Sequence, residues 1–220
     1  MLFLTEISTP LHLITQTSLD IDPLVASDFD YATKIWLNCN PSLACRPWCA
    51  AVSGNAVRIR GWRDDPPRTT ERKIYLGFTE FRIGVGERIT VSGQVIPLRR
   101  AKSRARDAAE MADTPAESTA LYMTWLRERL VDLSPYALVD AFEIETSTHR
   151  RVLRKLDHSR ASTRVAAQII PVVSGRIEIT VRDPIGVERW LRLGVGPQKA
   201  FGYGGFFPTI DIRGNYEPRV

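Results

Sequence analysis

The chain has 220 residues, of which 44% are hydrophobic, and its formal net charge is +5. This composition predicts one large or two small folded domains and excludes disorder as the default state. No apolar run reaches the roughly 18 residues of a membrane span. Residues 1–6 lack the basic start of a signal peptide and are expected to open a first strand.

The number and spacing of the cysteines bear on the redox environment of the protein and on metal binding. Cys39, Cys45 and Cys49 cannot form an even disulfide framework, and no histidine lies near them. Cys45 and Cys49 alone are a poor metal signal. The sequence therefore predicts reduced structural thiols in a cytoplasmic protein, with no metal and no other cofactor.

The N-terminal half is predicted to be mainly β-structure with one helix. A β-type run covers residues 2–13. A helix is expected to begin at Asp22-Pro23, because Asp suits an N-cap and Pro suits the first helical position. Ser53-Gly54-Asn55 has turn chemistry between two strands. The strands expected in this half cover residues 48–52, 57–62, 73–83 and 88–98.

Read coarsely, the C-terminal half repeats the β-α-β-β-(α)-β order of the N-terminal half, in which the sequence shows no clear second helix. Residues 101–116 are predicted to be a basic linker between a domain at 1–100 and a domain at 117–220. A helix at 117–130 would bury Leu121, Trp125, Leu126 and Leu130 on one face. Strands are then expected at 138–145, 163–173 and 176–181, followed by a helix at 186–193 and a last strand. The order predicts an α+β fold of two tandem ferredoxin-like, or RRM-like, βαββαβ domains.

The most informative stretch runs from Leu193 to Phe207 and holds five glycines and Lys199. Glycines let backbone N–H groups approach a ligand closely, and turned N–H groups beside a lysine bind anions. It is not a dinucleotide fingerprint, because it lies between a helix and a strand. A plain glycine-rich turn fits the glycines equally well. The predicted phosphate-binding residues are Gly194, Gly196, Lys199 and Gly202.

The run Gly194–Gly204 resembles the G-I-G-x-x-[KR]-[AS]-[FM]-G-[CFY]-G signature of CRISPR repeat-processing endoribonucleases of the RAMP superfamily, especially the CasE type. The resemblance extends through Ile177–Pro184, Val95–Arg100 and the helix with Trp125-Leu126-Arg127, and it covers the chain from Glu71 onward. It implies a protein that binds the stem-loop of a CRISPR repeat and cleaves it by metal-independent attack of the ribose 2′-hydroxyl. It also implies that the protein keeps the product within an effector complex of other CRISPR subunits.

Residues 146–164 form a basic segment with six basic residues and one acidic residue, an excess equal to the charge of the whole chain. An arginine-bearing hairpin can follow the phosphates along the narrow major groove of RNA, and guanidinium groups bind phosphate in bidentate fashion. The resemblance implies the same use, although a solvated surface loop is the alternative. The predicted RNA-binding residues here are Arg150, Arg151, Arg154, Lys155, Arg160 and Arg164.

Two further pairs are RNA-binding candidates. Arg99 and Arg100 belong to a second basic cluster, for which a disordered linker is the alternative. Arg58 and Arg60 alternate along one strand and could line a cleft, and a solvated strand face explains them equally well.

The family resemblance implies a catalytic histidine near the first helix, and this position does not hold one. Alignment of the helix end at residues 37–41 places Thr33 there, with Tyr31 and Lys34 as neighbours. A lysine can stabilise a charged phosphorane instead, as the resemblance to type IV CRISPR processing proteins implies. The catalytic candidates are therefore Tyr31, Lys34 and Lys199.

The histidines present lie elsewhere. His12 is expected in the first strand as a surface or structural residue, and His149 and His158 are expected to contact phosphate in the basic segment. Two alternatives to an endoribonuclease remain open from the residues. One is a non-catalytic RAMP scaffold subunit that caps the guide RNA, and the other is a general basic RNA-binding module.

Overall fold

The structure is a computed structural model that describes residues 1–66, 74–97, 115–155, 165–197 and 199–208. Several predicted features lie outside these residues. They are Arg99, Arg100, residues 101–114 of the expected linker, His158, Arg160 and Arg164.

The described chain contains eight strands and four α-helices. The strands are β1 (Leu2–Pro10), β2 (Trp48–Ser53), β3 (Ala56–Arg63), β4 (Tyr75–Phe81), β5 (Arg88–Val95), β6 (Ala137–Lys155), β7 (Val165–Val181) and β8 (Phe206–Pro208). The helices are α1 (Leu11–Ile21), α2 (Phe29–Cys39), α3 (Pro115–Leu130) and α4 (Pro184–Leu193), and the short 3-10 helices are Val131–Leu133 and Lys199–Phe201.

The strands form two four-stranded sheets with the orders β2-β3-β1-β4 and β6-β7-β5-β8. All neighbouring strands are antiparallel. In each sheet the first and third strands along the chain are central and the second and fourth are at the edges. This is the ferredoxin-like order, so the predicted tandem α+β fold is confirmed.

The division between the two sheets falls earlier than the predicted domain boundary at residue 100. Strand β5 pairs with β7 and β8 and is the first strand of the second sheet. The two sheets therefore divide between Phe81 and Arg88. The local sequence pattern of β5 is compatible with either sheet. Only its pairing with β7 and β8, which are distant in sequence, assigns it to the second sheet.

The first helical region also differs from the prediction. Helix α1 begins directly after Pro10, and Asp22 lies at its C-terminal end, where its N–H donates to the Ser18 carbonyl at 2.8 Å. Asp28 is the N-cap of the next helix, α2. His12 is therefore an exposed residue of a helix and not part of a strand. Asp22-Pro23 terminates one helix instead of starting one.

Strands β6 and β7 form one long hairpin of 19 and 17 residues. The strand expected to end at residue 145 continues to Lys155, so residues 146–155 of the basic segment form the distal part of a regular ladder. The two strands predicted at 163–173 and 176–181 are one strand. Helix α3 also differs in detail, because Tyr122 is buried where Leu121 was expected to be, and Leu121 is 46% exposed.

The two sheets share a hydrophobic core. Trp62 of the first sheet donates from Nε1 to the Phe206 carbonyl at 2.9 Å, and its ring stacks on Phe207 with centroids 5.8 Å apart. Leu4 and Val91, from opposite sheets, lie in the same buried cluster. The two domains are therefore packed against each other around a central tryptophan.

The cysteines differ in accessibility, and this gives a first testable expectation. Burial raises the pKa of the Cys45 thiol to about 12 and that of Cys49 to about 11, whereas Cys39 is exposed at the end of α2. Since the thiolate is the reactive form, we expect only Cys39 to react with a thiol reagent in the native protein at neutral pH. Denaturant should make the Cys45 and Cys49 thiols reactive, and Cys39→Ser should abolish the fast reaction of the native protein. Rapid labelling of Cys45 in native protein would contradict the described packing.

Candidate functional site

Helix α2 directs two of the predicted catalytic residues to one surface. Its N-cap, Asp28, accepts a hydrogen bond from the Tyr31 N–H at 2.8 Å. Thr33 is fully buried, and its hydroxyl donates to the Phe29 carbonyl at 2.8 Å. Tyr31 and Lys34, three residues apart and both half-buried, lie on a neighbouring face. The position aligned with the family histidine thus faces the core, and Lys34 reaches the surface beside it.

Lys34 lies against two neighbouring aromatic rings. Its Nζ is 4.2 Å from the ring centroid of Phe201 and 5.1 Å from that of Tyr31. The two rings are in contact, with centroids 5.5 Å apart. Aromatic faces attract an ammonium group and hold it in place. The arrangement joins α2 of the first domain to the glycine-rich segment of the second, and it presents a positioned cation against the Tyr31 ring.

Phe201 was not among the predicted site residues. Its only sequence signal is its place in the glycine-rich run, where the family pattern allows Phe or Met. The contact with α2 joins residues about 170 positions apart, and local sequence patterns carry no information on such a pairing.

Lys199 occupies a different place from the other two catalytic candidates. Its Nζ donates to the Leu193 carbonyl at 2.5 Å, so it contacts the C-terminal end of α4. Burial lowers the pKa of its ammonium. Lys199 lines a cavity of about 820 Å³ together with Arg129, Tyr136 and Arg189, and neither Tyr31 nor Lys34 lines this cavity. A catalytic role for Lys199 stays a prediction.

The glycines of the segment are required by its own packing. Gly194, Gly196 and Gly202 have φ values of 64°, 76° and 85°, which side chains rarely adopt. A Cβ at Gly202 would lie 2.5 Å from the Trp48 ring, and one at Gly196 would lie 2.9 Å from Trp125. These contacts explain why glycine stands at each position. RNA contact by their backbone N–H groups stays a prediction.

The distal parts of β6 and β7, residues 146–155 and 165–174, pair with each other and are called the arm. The arm is attached to α2. Arg150 Nη1 donates to Asp30 Oδ1 at 3.2 Å and to the Tyr203 hydroxyl oxygen at 3.2 Å. Arg151, the next residue, is exposed, and Arg154 and Lys155 lie at the end of β6. Of the predicted arm residues, Arg150 therefore has protein partners, and Arg151 is available to a ligand.

The other arginine pair lies on the sheet face opposite α1 and α2. Arg60 pairs with Glu6 at 2.9 Å across the strand, and Arg58 is exposed beside Ser8. Val57 and Ile59, which alternate with them, are buried in the core. Arg60 thus has an ion-pair partner, whereas the Arg58 side chain is exposed. RNA binding by either arginine stays a prediction.

Within the described ranges, His, Cys, Asp and Glu side chains form no group of three that could hold a metal ion. Over the same part of the chain, no helix has the length and apolar character needed to cross a membrane.

Comparison with known proteins gives matches among solved structures. No protein-family model and no curated protein matches the chain. A structure of the CRISPR endoribonuclease Cse3 bound to 19-nucleotide RNA matches with a TM-score of 0.61 and 18% identity, over 94% of this chain and 100% of the other. Cas6e from Escherichia coli str. K-12 matches with a TM-score of 0.54 and 14% identity, over 94% and 98% of the chains.

A third match extends the same comparison. A chain of a CRISPR RNA-guided surveillance complex in a pre-nicking state has a TM-score of 0.58 and 14% identity, over 94% of this chain and 98% of the other. The molecule thus has a tandem ferredoxin-like fold. More narrowly, it shares that fold over nearly its whole length with Cse3 and Cas6e.

Proposed function

We propose that this protein binds the stem-loop of a CRISPR repeat, cleaves the precursor RNA without a metal ion, and stays on the product beside other subunits of an effector complex. The observation that carries the proposal is the Lys34 ammonium held against the rings of Tyr31 and Phe201, where α2 meets the glycine-rich segment. Support also comes from the fold shared with an RNA-bound CRISPR endoribonuclease and with a chain of a surveillance complex.

The chemistry proposed is attack by a ribose 2′-hydroxyl on the adjacent phosphate. A bond forms between the 2′-oxygen and phosphorus, and the bond from phosphorus to the 5′-oxygen breaks. The products are a 2′,3′-cyclic phosphate and a 5′-hydroxyl; the 2′-hydroxyl loses its proton to water and the leaving oxygen gains one. Negative charge grows on the phosphate oxygens in the transition state, where a preorganised cation is most effective.

We assign these roles to residues of α2. Lys34 stabilises the developing negative charge, because its ammonium is already held in place before RNA binds. Tyr31 is the candidate proton donor to the leaving oxygen, because its ring lies against the same lysine. The exposed Arg151 and the end of β6 would contact the phosphates of the stem, and this binding should weaken with salt.

The test is cleavage of repeat RNA by purified protein in excess chelator. We expect cleavage to persist, and we expect a 2′-deoxyribose at the scissile nucleotide to abolish cleavage while binding remains. Both results follow because the nucleophile belongs to the substrate and the charge is stabilised by a side chain. Cleavage that stops in chelator and returns with magnesium would contradict the proposal.

Binding without cleavage would favour the second candidate, a scaffold subunit that caps the guide RNA. One observation supports that candidate. The residue aligned with the family histidine is the buried Thr33, and a lysine alone can bind phosphate without removing a proton from the nucleophile.

A further inference from the structure

Three polar side chains join the two domains beside Lys34. The Tyr203 hydroxyl donates to Asp30 Oδ2 at 2.5 Å, and Arg150 Nη1 donates to both residues at 3.2 Å. Tyr203 and Asp30 are only 1% and 5% exposed. The three residues belong to the glycine-rich segment, to α2 and to β6, so the trio connects three elements that are distant in sequence.

Asp30, Tyr203 and Arg150 have one favoured arrangement relative to one another, because the Asp30 carboxylate is buried. Burial raises the pKa of Asp30, and the Tyr203 hydrogen bond and the Arg150 charge act against that change. Burial also raises the pKa of Tyr203, and the neighbouring Asp30 raises it further. A buried carboxylate is costly unless it is paired and hydrogen-bonded. Loss of either partner would therefore weaken the contact between β6 and α2.

A second contact attaches the same part of the arm to the same helix end. The Leu153 N–H donates to Asp28 Oδ2 at 2.5 Å, while Asp28 Oδ1 accepts from Tyr31. Val152 is 1% exposed and packs in a cluster with Ile170 and Tyr203. The first turn of α2 thus holds the arm and also begins the helix that carries Tyr31 and Lys34.

We propose that Asp30, Tyr203 and Arg150 are positioning residues, which hold the arm and the glycine-rich segment in register with Lys34. Asp30 directly precedes Tyr31, and Tyr203 follows Phe201 by two residues. Each of the two aromatic residues that contact Lys34 is therefore close in sequence to one of the three positioning residues. RNA bound along the arm would then reach Lys34 in a fixed orientation. This inference rests on the proposed function, because a misplaced scissile phosphate reacts slowly even when RNA is bound.

The kinetic test uses Tyr203→Phe, which removes the hydroxyl and keeps the buried ring. The single-turnover cleavage rate at saturating RNA should fall about 10- to 100-fold, while the dissociation constant for repeat RNA stays near wild type. Asp30→Asn should lower the rate similarly, and the double variant should be no slower than either single variant, as expected of groups that act together. Tyr122→Phe, in a tyrosine of similar burial in α3, is the matched control and should retain the wild-type rate.

A second readout does not need cleavage. Spin labels at the native, exposed Cys39 and at Ile169→Cys, on β7 where the side chain is 73% exposed, report the distance from α2 to the arm. Wild type should give one narrow distribution, and Tyr203→Phe should broaden it. If both the distribution and the rate are unchanged in Tyr203→Phe, the positioning role is overturned. A wild-type protein that binds repeat RNA without cutting it contradicts the proposed function, and the distance distribution then decides the positioning role alone.

Discussion

Replacing Lys34 by methionine is expected to lower the single-turnover cleavage rate of repeat RNA about 100- to 1,000-fold. Methionine keeps an unbranched side chain beside the rings of Tyr31 and Phe201 but removes the ammonium that lies 4.2 Å from the Phe201 ring centroid. The transition state would lose its positioned cation, whereas the arm would still bind the stem. The measurement is the rate at saturating RNA, with the dissociation constant determined separately by a binding titration.

Thr33→Val is the matched control for Lys34→Met on the same helix. It has nearly the same shape, and it removes only a hydroxyl that is fully buried and bonded to the Phe29 carbonyl. We expect the wild-type cleavage rate, because Thr33 faces the core. If Lys34→Met cleaves like wild type, or if Thr33→Val is equally impaired, the assignment of catalysis to this face of α2 is wrong.

The last helix of the second domain has a strong local signal, and its predicted range, 186–193, falls two residues inside the observed Pro184–Leu193. Asp183 before Pro184 is an N-cap followed by proline at the first helical position, and α4 begins there. The same dipeptide at Asp22-Pro23 misled the prediction, because Asp22 ends α1. Asp-Pro is compatible with both helix ends, and the packing of α1 against the first sheet decides between them.

The length of the β6–β7 hairpin could not be predicted from side chains. Beyond residue 145 most side chains of β6 are exposed and many are polar or charged, so the alternation that marks a half-buried strand is absent. The strand continues because its backbone pairs with β7 in register, for example Arg151 with Ile169. Near the far end Val152 is buried in a cluster with Ile170 and Tyr203.

The candidate site was only partly accessible from sequence. The resemblance directed attention to Tyr31 and Lys34, and these two do lie together. Tyr203 carried only the signal of its place in the glycine-rich run. Asp30 carried none, because a buried acid in a helix looks like a solvated one until its partners, 120 and 173 residues away, are known. Lys199 carried a clear signal, since a lysine among glycines suggests phosphate; it donates to the end of α4, and its contact with phosphate stays a prediction.

Gly202→Val is expected to destabilise the fold by about 3 kcal/mol or more, since backbone strain and overpacking act together. The φ of Gly202 is 85°, and its added Cβ would lie 2.5 Å from an atom of the Trp48 ring, which is 2% exposed. The ring would have to move within the core of the first domain. A thermal melt should show a midpoint lower by about 10 °C, so weaker RNA binding by this variant would reflect lost structure and not a lost phosphate contact.

Gly86→Val separates the cost of backbone strain from the cost of overpacking. Gly86 has a nearly identical φ of 82°, but nothing lies within 4 Å of its added Cβ. Valine there should cost only the backbone strain, about 1–2 kcal/mol, and the difference between the two variants measures the collision with Trp48. Equal melting midpoints for Gly202→Val and Gly86→Val would show that the Trp48 contact is not tight. In that case the conformation of the glycine, and not its packing, would be the reason for its presence in the segment.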